Sequence, residues 1–231
     1  MAKPLLSIVI PVLNEESALA ILLKQLQHVG HYPERTEIVV VDGGSMDDTI
    51  SVAKKFGVKV VKSKKGRAVQ MNVGAKHAQA DILYFLHADT LPPQDFDALI
   101  LKTVEAGNKT GCFRMQFDTQ NLFLRFFAWL SRINHSLCRG GDQSLFVTKK
   151  VFFENGCFNE SYLIYEDSEF IRRLYRTTNF KILPEKVITS ARKYRQKGWL
   201  KVQYHFAVIH FKNYLGQGPD SLYRYYSDNL L

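Results

Sequence analysis

Carboxylates recur in this sequence where apolar runs stop. Val40-Val41 gives way to Asp42-Gly43-Gly44-Ser45-Met46-Asp47-Asp48, and Tyr84-Phe85-Leu86 gives way to His87-Ala88-Asp89. Farther on, Glu166 and Asp167 follow Tyr165. A carboxylate such as Asp42 can accept hydrogen bonds from a ribose or a base edge, and glycines such as Gly43 let the backbone approach a ligand closely. Asp89 can hold a hard divalent cation, Mg2+ or Mn2+, that bridges two phosphates. His87 would be a borderline further ligand, because such ions prefer oxygen. A carboxylate of the Glu166-Asp167 pair within reach of an acceptor hydroxyl can take its proton as it attacks. Each cluster also has a plainer reading. Asn14 or Glu15 can cap a following helix, as can Asp89 itself and the acidic turn that starts at Asp42, while paired acids at residues 166–167 complement a helix dipole.

Such residues act only if elements bring them together. Leu5–Val12 is a β-branched run suited to a strand buried on both faces. Glu15–Val29 has a helical stripe of Leu19, Leu22, Leu23 and Leu26. Strands are predicted at Glu37–Val41, Val58–Val61 and Asp81–Leu86, with helices at Asp47–Phe56 and Gly66–Ala78 between them. This alternation implies parallel βαβ units, with polar residues at the carboxyl ends of strands lining the ligand site. After residue 90 the rhythm loosens. Helices are predicted at Asp95–Ala106, Asn121–Ile133, Glu166–Tyr175 and Trp199–Leu215, a strand at Gly111–Phe117, and a Gly-Gly turn with a strand in Cys138–Val147. One α/β domain over residues 1–231 is the simplest reading. About 1–110 form a nucleotide-binding half, and about 111–231 an acceptor-facing half with C-terminal helices.

Composition narrows the partners. The 231 residues carry a formal net charge of +9, which favours anionic ligands such as nucleotides or phospholipid surfaces. No nucleic-acid motif accompanies the charge, so nucleic acid is not expected. The three cysteines lack a C-x-x-C pair, which speaks against a cysteine zinc site and for a reduced, cytoplasmic protein. Neither a secretory signal nor a run of about 18 apolar residues is apparent. The absence of G-x-G-x-x-G after the first strand argues against a dinucleotide dehydrogenase.

As a set, Ser7-Ile8-Val9-Ile10-Pro11-Val12-Leu13-Asn14-Glu15-Glu16, Val40 to Thr49, His87-Ala88-Asp89 and Glu166-Asp167 stand in the order seen in family 2 glycosyltransferases. The sequence resembles that family over about residues 5–175. The resemblance implies a GT-A fold: a Rossmann-like, mostly parallel central sheet flanked by helices, here with a helical C-terminal extension. It further implies a nucleoside-diphosphate-sugar donor (a UDP- or GDP-sugar), a bound Mg2+ or Mn2+ and usually an inverting transfer to a hydroxyl. Pro11, Asn14 and Glu15 resemble the loop that holds the nucleoside, and Asp42 the residue on the base or ribose. Asp89 resembles the last acid of the D-x-D metal motif, whose first acid is replaced here by His87, and Asp167 resembles the catalytic base. Arg67 opens the segment that follows the third strand and can face a phosphate or the nucleoside. The His-Ala-Asp variant, Gly140-Gly141-Asp142-Gln143 and Ser190-Ala191-Arg192 together resemble a short bacterial subgroup. In that subgroup Gly141, Asp142 and Gln143 would lie on the acceptor side with Glu166, and Arg192 would contact the diphosphate or remain a solvated charge.

A sugar-1-phosphate nucleotidyltransferase and a non-catalytic nucleotide-sugar binder are the competing readings. The first expects a Gly-rich basic loop where Asn14-Glu15-Glu16 stands. Against the second stand Asp89 and Asp167. Asn121–Ile133 and the Trp199–Tyr226 tail mix aromatics with Arg125, Arg132, Lys201 and Lys212. Such segments suit the inner face of a membrane and a lipid-linked acceptor, a cover for the sheet, or an oligomer seam, and the sequence does not choose among them.

Overall fold

The computed structural model describes residues 3–231. In chain order the strands are β1 (Leu6–Val12), β2 (Thr36–Asp42), β3 (Lys59–Lys62), β4 (Ile82–Phe85), β5 (Thr90–Leu91), β6 (Thr110–Phe117), β7 (Leu145–Thr148) and β8 (Phe180–Thr189). The helices are α1 (Glu16–Val29), α2 (Thr49–Lys55), α3 (Arg67–His77), α4 (Phe96–Glu105), α5 (Leu122–Trp129), α6 (Lys149–Glu154), α7 (Glu166–Thr177), α8 (Arg192–Lys197), α9 (Trp199–Tyr214) and α10 (Pro219–Leu230).

All eight strands join one sheet in the order β3-β2-β1-β4-β7-β6-β8-β5. β1 lies parallel to both β2 and β4, β2 to β3, and β6 to β8. β7 runs antiparallel between β4 and β6, and short β5 runs antiparallel to β8. The sheet is therefore mostly parallel but mixed at its centre. Every residue of β1 is buried, as expected for a strand covered on both faces. One apolar layer packs α1 and α4 on the sheet through Leu19, Leu22, Leu26, Phe96 and Ile100. On the opposite face Met71, Phe152, Phe170 and Leu174 form the second layer. α3 approaches that face so closely that a Cβ on Gly74 would stand 2.3 Å from Val9 Cγ1. Glycine is thus required for helix and sheet to touch.

The predicted elements of the first half are present within a residue or two of their ends. Beyond it, short β5, α6 and α8 have no predicted counterpart, and three larger differences stand beside them. β8 is among the longest strands, yet Pro184 and the charges Lys181, Glu185 and Lys186 hide it from an alternation test. A register shift between Phe113 and Arg114 of β6 absorbs the irregularity. The helix expected at Asn121–Ile133 is shorter: Asn121 caps it by accepting from the Leu124 N–H, and Leu130–Arg132 tighten into a 3₁₀ turn. The tail folds back as a second helix, α10, which packs with α5, α8 and α9 through Leu124, Tyr194, Val202, Ile209, Leu222 and Leu230. Among the described residues, no helix is long and apolar enough to cross a membrane.

Candidate active site

Two loops leave the carboxyl ends of β1 and β2 and hold each other. Asn14 adopts a left-handed φ of 53°, which asparagine tolerates better than most residues. Its N–H donates to Ser45 Oγ (2.9 Å), and its Oδ1 accepts from the Met46 N–H (2.8 Å). The Glu15 N–H donates to Thr49 Oγ1 at 2.9 Å. Asp42 is buried, and its carboxylate accepts from the N–H groups of Gly44 and Ser45. Pro11 is buried in β1 opposite Val41.

Gln70 of α3 completes this wall. Its Nε2 donates to both the Val12 and Val41 carbonyls, at 2.7 and 2.8 Å, and so ties the strand ends together. Gly43 is small for a related reason: a Cβ there would stand 3.0 Å from the Gln70 amide. Sequence reasoning missed Gln70. Its only signal is a polar residue one turn into a helix whose neighbours Ala68 and Met71 are apolar.

A second group of residues converges from distant segments. Arg67 begins α3, His87 and Asp89 follow β4, Asp142 lies in the 3₁₀ turn before β7, and Glu166-Asp167 open α7. Tyr165 takes a left-handed φ of 71° just before α7, which sets the direction of the two acids. His87 Nε2 lies 3.5 Å from Asp167 Oδ2, and Arg67 Nε lies 3.5 Å from Glu166 Oε1. Asp89 is half-buried, and its carbonyl accepts from the Ser190 N–H at 3.1 Å. That bond brings Ala191-Arg192 to the same edge. Arg192 Nη2 then pairs with Glu15 Oε1 at 3.1 Å, linking the start of α8 to the first loop. Glu15 does not cap α1; its side chain is taken up by Arg192. Ala88 is buried in the α1/α4 layer.

Gly141 is the first residue of the 3₁₀ turn, and its surroundings lie outside the described residues. Gln143 is buried: its Oε1 accepts from Arg139 and its Nε2 donates to the Cys138 carbonyl.

Charge is crowded here. Burial lifts the Glu166 carboxyl above its ordinary range; Arg67 works against the shift and Asp167 reinforces it. Among the described residues, neither Glu166 oxygen has a hydrogen-bond partner. Asp142 is also pushed up, first by desolvation between the walls and then by the nearby charge of Asp89. For His87, burial opposes the charged ring, but Asp167 outweighs it and holds the imidazole above its usual value. Among the described residues, no group of three or more His, Cys, Asp or Glu side chains is placed to hold a metal. Asp89, a hard oxygen donor with Asp142 beyond it, fits an ion that takes its remaining ligands from a bound diphosphate and water, as Mg2+ commonly does.

Comparison with known proteins points to one family. The family model "Glycosyl transferase family 2" matches residues 7–159. A similar curated protein, from Methanococcus voltae, is dolichyl N-acetyl-alpha-D-glucosaminyl phosphate 3-beta-D-2,3-diacetamido-2,3-dideoxy-beta-D-glucuronosyltransferase. It is 31% identical over 160 residues, which cover 65% of this chain and 50% of that protein. The chain thus spans about half of that relative's length. Among solved structures, the mannosyltransferase PcManGT from Pyrobaculum calidifontis, in complex with GDP-Man and Mn2+, has a TM-score of 0.70 at 16% identity, covering 98% of this chain and 70% of that one. S. aureus TarS 1-349 in complex with UDP has a TM-score of 0.67 at 20% identity, covering 80% and 60%. These likenesses concern the fold, which is the GT-A glycosyltransferase fold. The family match covers well over half of the chain, and the chain belongs to glycosyl transferase family 2.

Proposed function

We propose that this chain transfers a sugar from a nucleoside diphosphate to a hydroxyl acceptor by a single, inverting displacement, with Asp167 as the general base. The observation that carries the reading is the contact of Asp167 with His87, two residues before Asp89, which puts a candidate base beside a candidate diphosphate site. The wall made by Asn14, Glu15, Asp42 and Gly43 takes the nucleoside. With its own carboxylate already accepting from two backbone N–H groups, Asp42 shapes the loop and has acceptor capacity left for a base or ribose. Arg67 and Arg192 face the diphosphate and balance charge as the leaving group departs. A bound Mg2+ or Mn2+, held by Asp89, would supply electrostatic stabilisation of that leaving group.

His87, 3.5 Å from Asp167 Oδ2, holds that carboxylate in place. Asp167 then accepts the acceptor's proton as the oxygen attacks the anomeric carbon. A single displacement needs no second carboxylate nucleophile. Asp142 and Glu166 are assigned to the acceptor side, with Gln143 behind them bracing the turn through Arg139 and the Cys138 carbonyl; the donor lies in about residues 1–110 and the acceptor in about 111–231 of one domain. Fold neighbours in complex with UDP and with GDP-Man support UDP or GDP for the donor, and a relative named for a dolichyl-linked sugar phosphate supports a lipid-linked acceptor.

Replacing Asp167 by Asn tests the assignment. Sugar transfer is expected to fall by about 10²–10⁴-fold, the usual contribution of a positioned base. The rise in melting temperature given by UDP or GDP with Mn2+ should persist, because ligand binding to the native state is untouched. Full transfer by Asp167→Asn would remove Asp167 from the role. No thermal response to any nucleoside diphosphate would remove the donor assignment.

A further inference from the structure

Away from the cleft, α5 and its 3₁₀ turn lie over the C-terminal half of β6 beside β8. They enclose a pocket of about 230 Å³ whose lining includes Arg114, Arg125, Arg132, Lys186 and Trp129. The Met115 N–H donates to Ser131 Oγ at 3.1 Å and fastens this cover to the strand. No carboxylate lines the pocket, and none of the cleft residues does. Among the described residues, none of the four cations forms an ion pair. Among those residues too, Lys186 has only a long 3.4 Å bond to Gln116, and the Nε of Arg114 is buried with no partner. Glu185, next to Lys186 in β8, is not part of the lining. Like charges gathered in a concave site focus a positive field, and a buried guanidinium N–H without an acceptor is costly. Both defects are relieved by one kind of ligand: an anion with several acceptor oxygens, such as a phosphate group.

The rim says which phosphate. On α5, Leu124 and Ala128 face the core, while Leu122, Phe126 and Trp129 are 76%, 57% and 51% exposed. Their spacing of four and then three residues puts them on one outward stripe. Arg125 and Arg132 flank that stripe. An apolar, aromatic face edged by arginines above a phosphate-sized basic pocket is complementary to the headgroup layer of a membrane, where aromatic rings enter the interface and arginines meet phosphates.

We propose that this pocket and the outward face of α5 dock the protein on an anionic lipid bilayer. The pocket takes a lipid phosphate, and Leu122, Phe126 and Trp129 enter the headgroup region. The proposal does not rest on the glycosyl-transfer reading, because no cleft residue takes part.

Flotation at low salt with phosphatidylcholine vesicles, with and without phosphatidylglycerol, tests it. The chain is expected to float with the anionic vesicles only. The double variant Arg125→Glu/Arg132→Glu should lose partitioning by more than about 20-fold, at about fivefold for each cation removed. Both residues are exposed, so circular dichroism and melting should match the parent. Trp129→Phe should abolish the blue shift of tryptophan fluorescence on vesicle binding, leaving only Trp199, which is on α9. Failure of the parent to float would overturn the proposal, as would unchanged flotation of the folded double variant. Stabilisation by inorganic phosphate without flotation would overturn the bilayer as the occupant and leave a free anion site.

Discussion

The two walls of the cleft treat polar groups in opposite ways. On the β1–β2 wall, Asn14, Asp42, Ser45, Thr49 and Gln70 each spend their side chains on neighbouring backbone, so the wall is satisfied before any ligand arrives. On the α7 wall, Glu166 is buried with both oxygens unpartnered among the described residues, and Asp142, Asp89, His87 and Asp167 crowd their charges. A satisfied wall fixes shape, whereas a wall left with excess charge stores free energy that binding or reaction can release. Substitutions should separate the two: changes on the first wall cost stability, and changes on the second gain stability while costing turnover.

The largest effect is expected at Gln70. Gln70→Ala leaves the Val12 and Val41 carbonyls without their shared donor in a buried setting. The Val12 carbonyl still accepts from the Gly43 N–H at 3.0 Å, so the cost is that of about one buried group left short of a donor, about 2 kcal/mol, read by urea denaturation. A loss below about 1 kcal/mol would mean that water replaces the amide and that the wall is not pre-formed.

That Gln70 escapes the sequence while Asp42, Asp89 and Asp167 do not follows from what each signal requires. The three acids end apolar runs or begin a helix, and such breaks in pattern are local. Gln70 matters through two carbonyls supplied by other strands, which only tertiary placement reveals. The ion pair between Glu15 and Arg192 joins residues 177 apart, and its geometry depends on the Asp89–Ser190 contact that folds α8 back. The same logic covers the sheet. β1 and the Ile38–Val41 stretch of β2 are legible because burial keeps them apolar or nearly so. β8 is hidden because it pairs through a register shift and carries Pro184.

A smaller effect of opposite sign is expected at Glu166. Its carboxyl lies above the ordinary range in the folded state, mainly through burial. The folded protein therefore holds that proton to higher pH than the unfolded chain does. Stability falls as pH rises from the ordinary glutamate range to the raised folded value. Glu166→Gln removes this cost. Arg67 keeps 44% of its side-chain surface in solvent, so it is not stranded as a buried charge. The variant should gain about 1 kcal/mol at neutral pH, and the gain should vanish below the ordinary glutamate pKa. Transfer activity should fall at the same time. A variant less stable than the parent at neutral pH would show that Glu166 belongs with the satisfied wall.

The smallest effect sharpens the comparison from outside it, at a charge that is both paired and wet. Arg195 of α8 meets both oxygens of Asp118 at 2.9 and 3.0 Å, and Asp118 also accepts from the Ala191 N–H at 2.7 Å. Partial burial works against the Asp118 carboxylate, but these donors outweigh it and hold the carboxyl below its ordinary value. An acid depressed in the folded state contributes stability above its unfolded pKa and loses it as pH falls through the folded value. Solvent reaches both partners, so the net worth is small and screened by salt. Asp118→Asn should therefore lower Tm by only about 1 °C at neutral pH. The difference from the parent should close in acid below the ordinary aspartate range, and again in about 1 M salt. A drop of many degrees that ignores salt would show that this pair anchors α8, and Arg192 with it, as firmly as Gln70 anchors the strand ends.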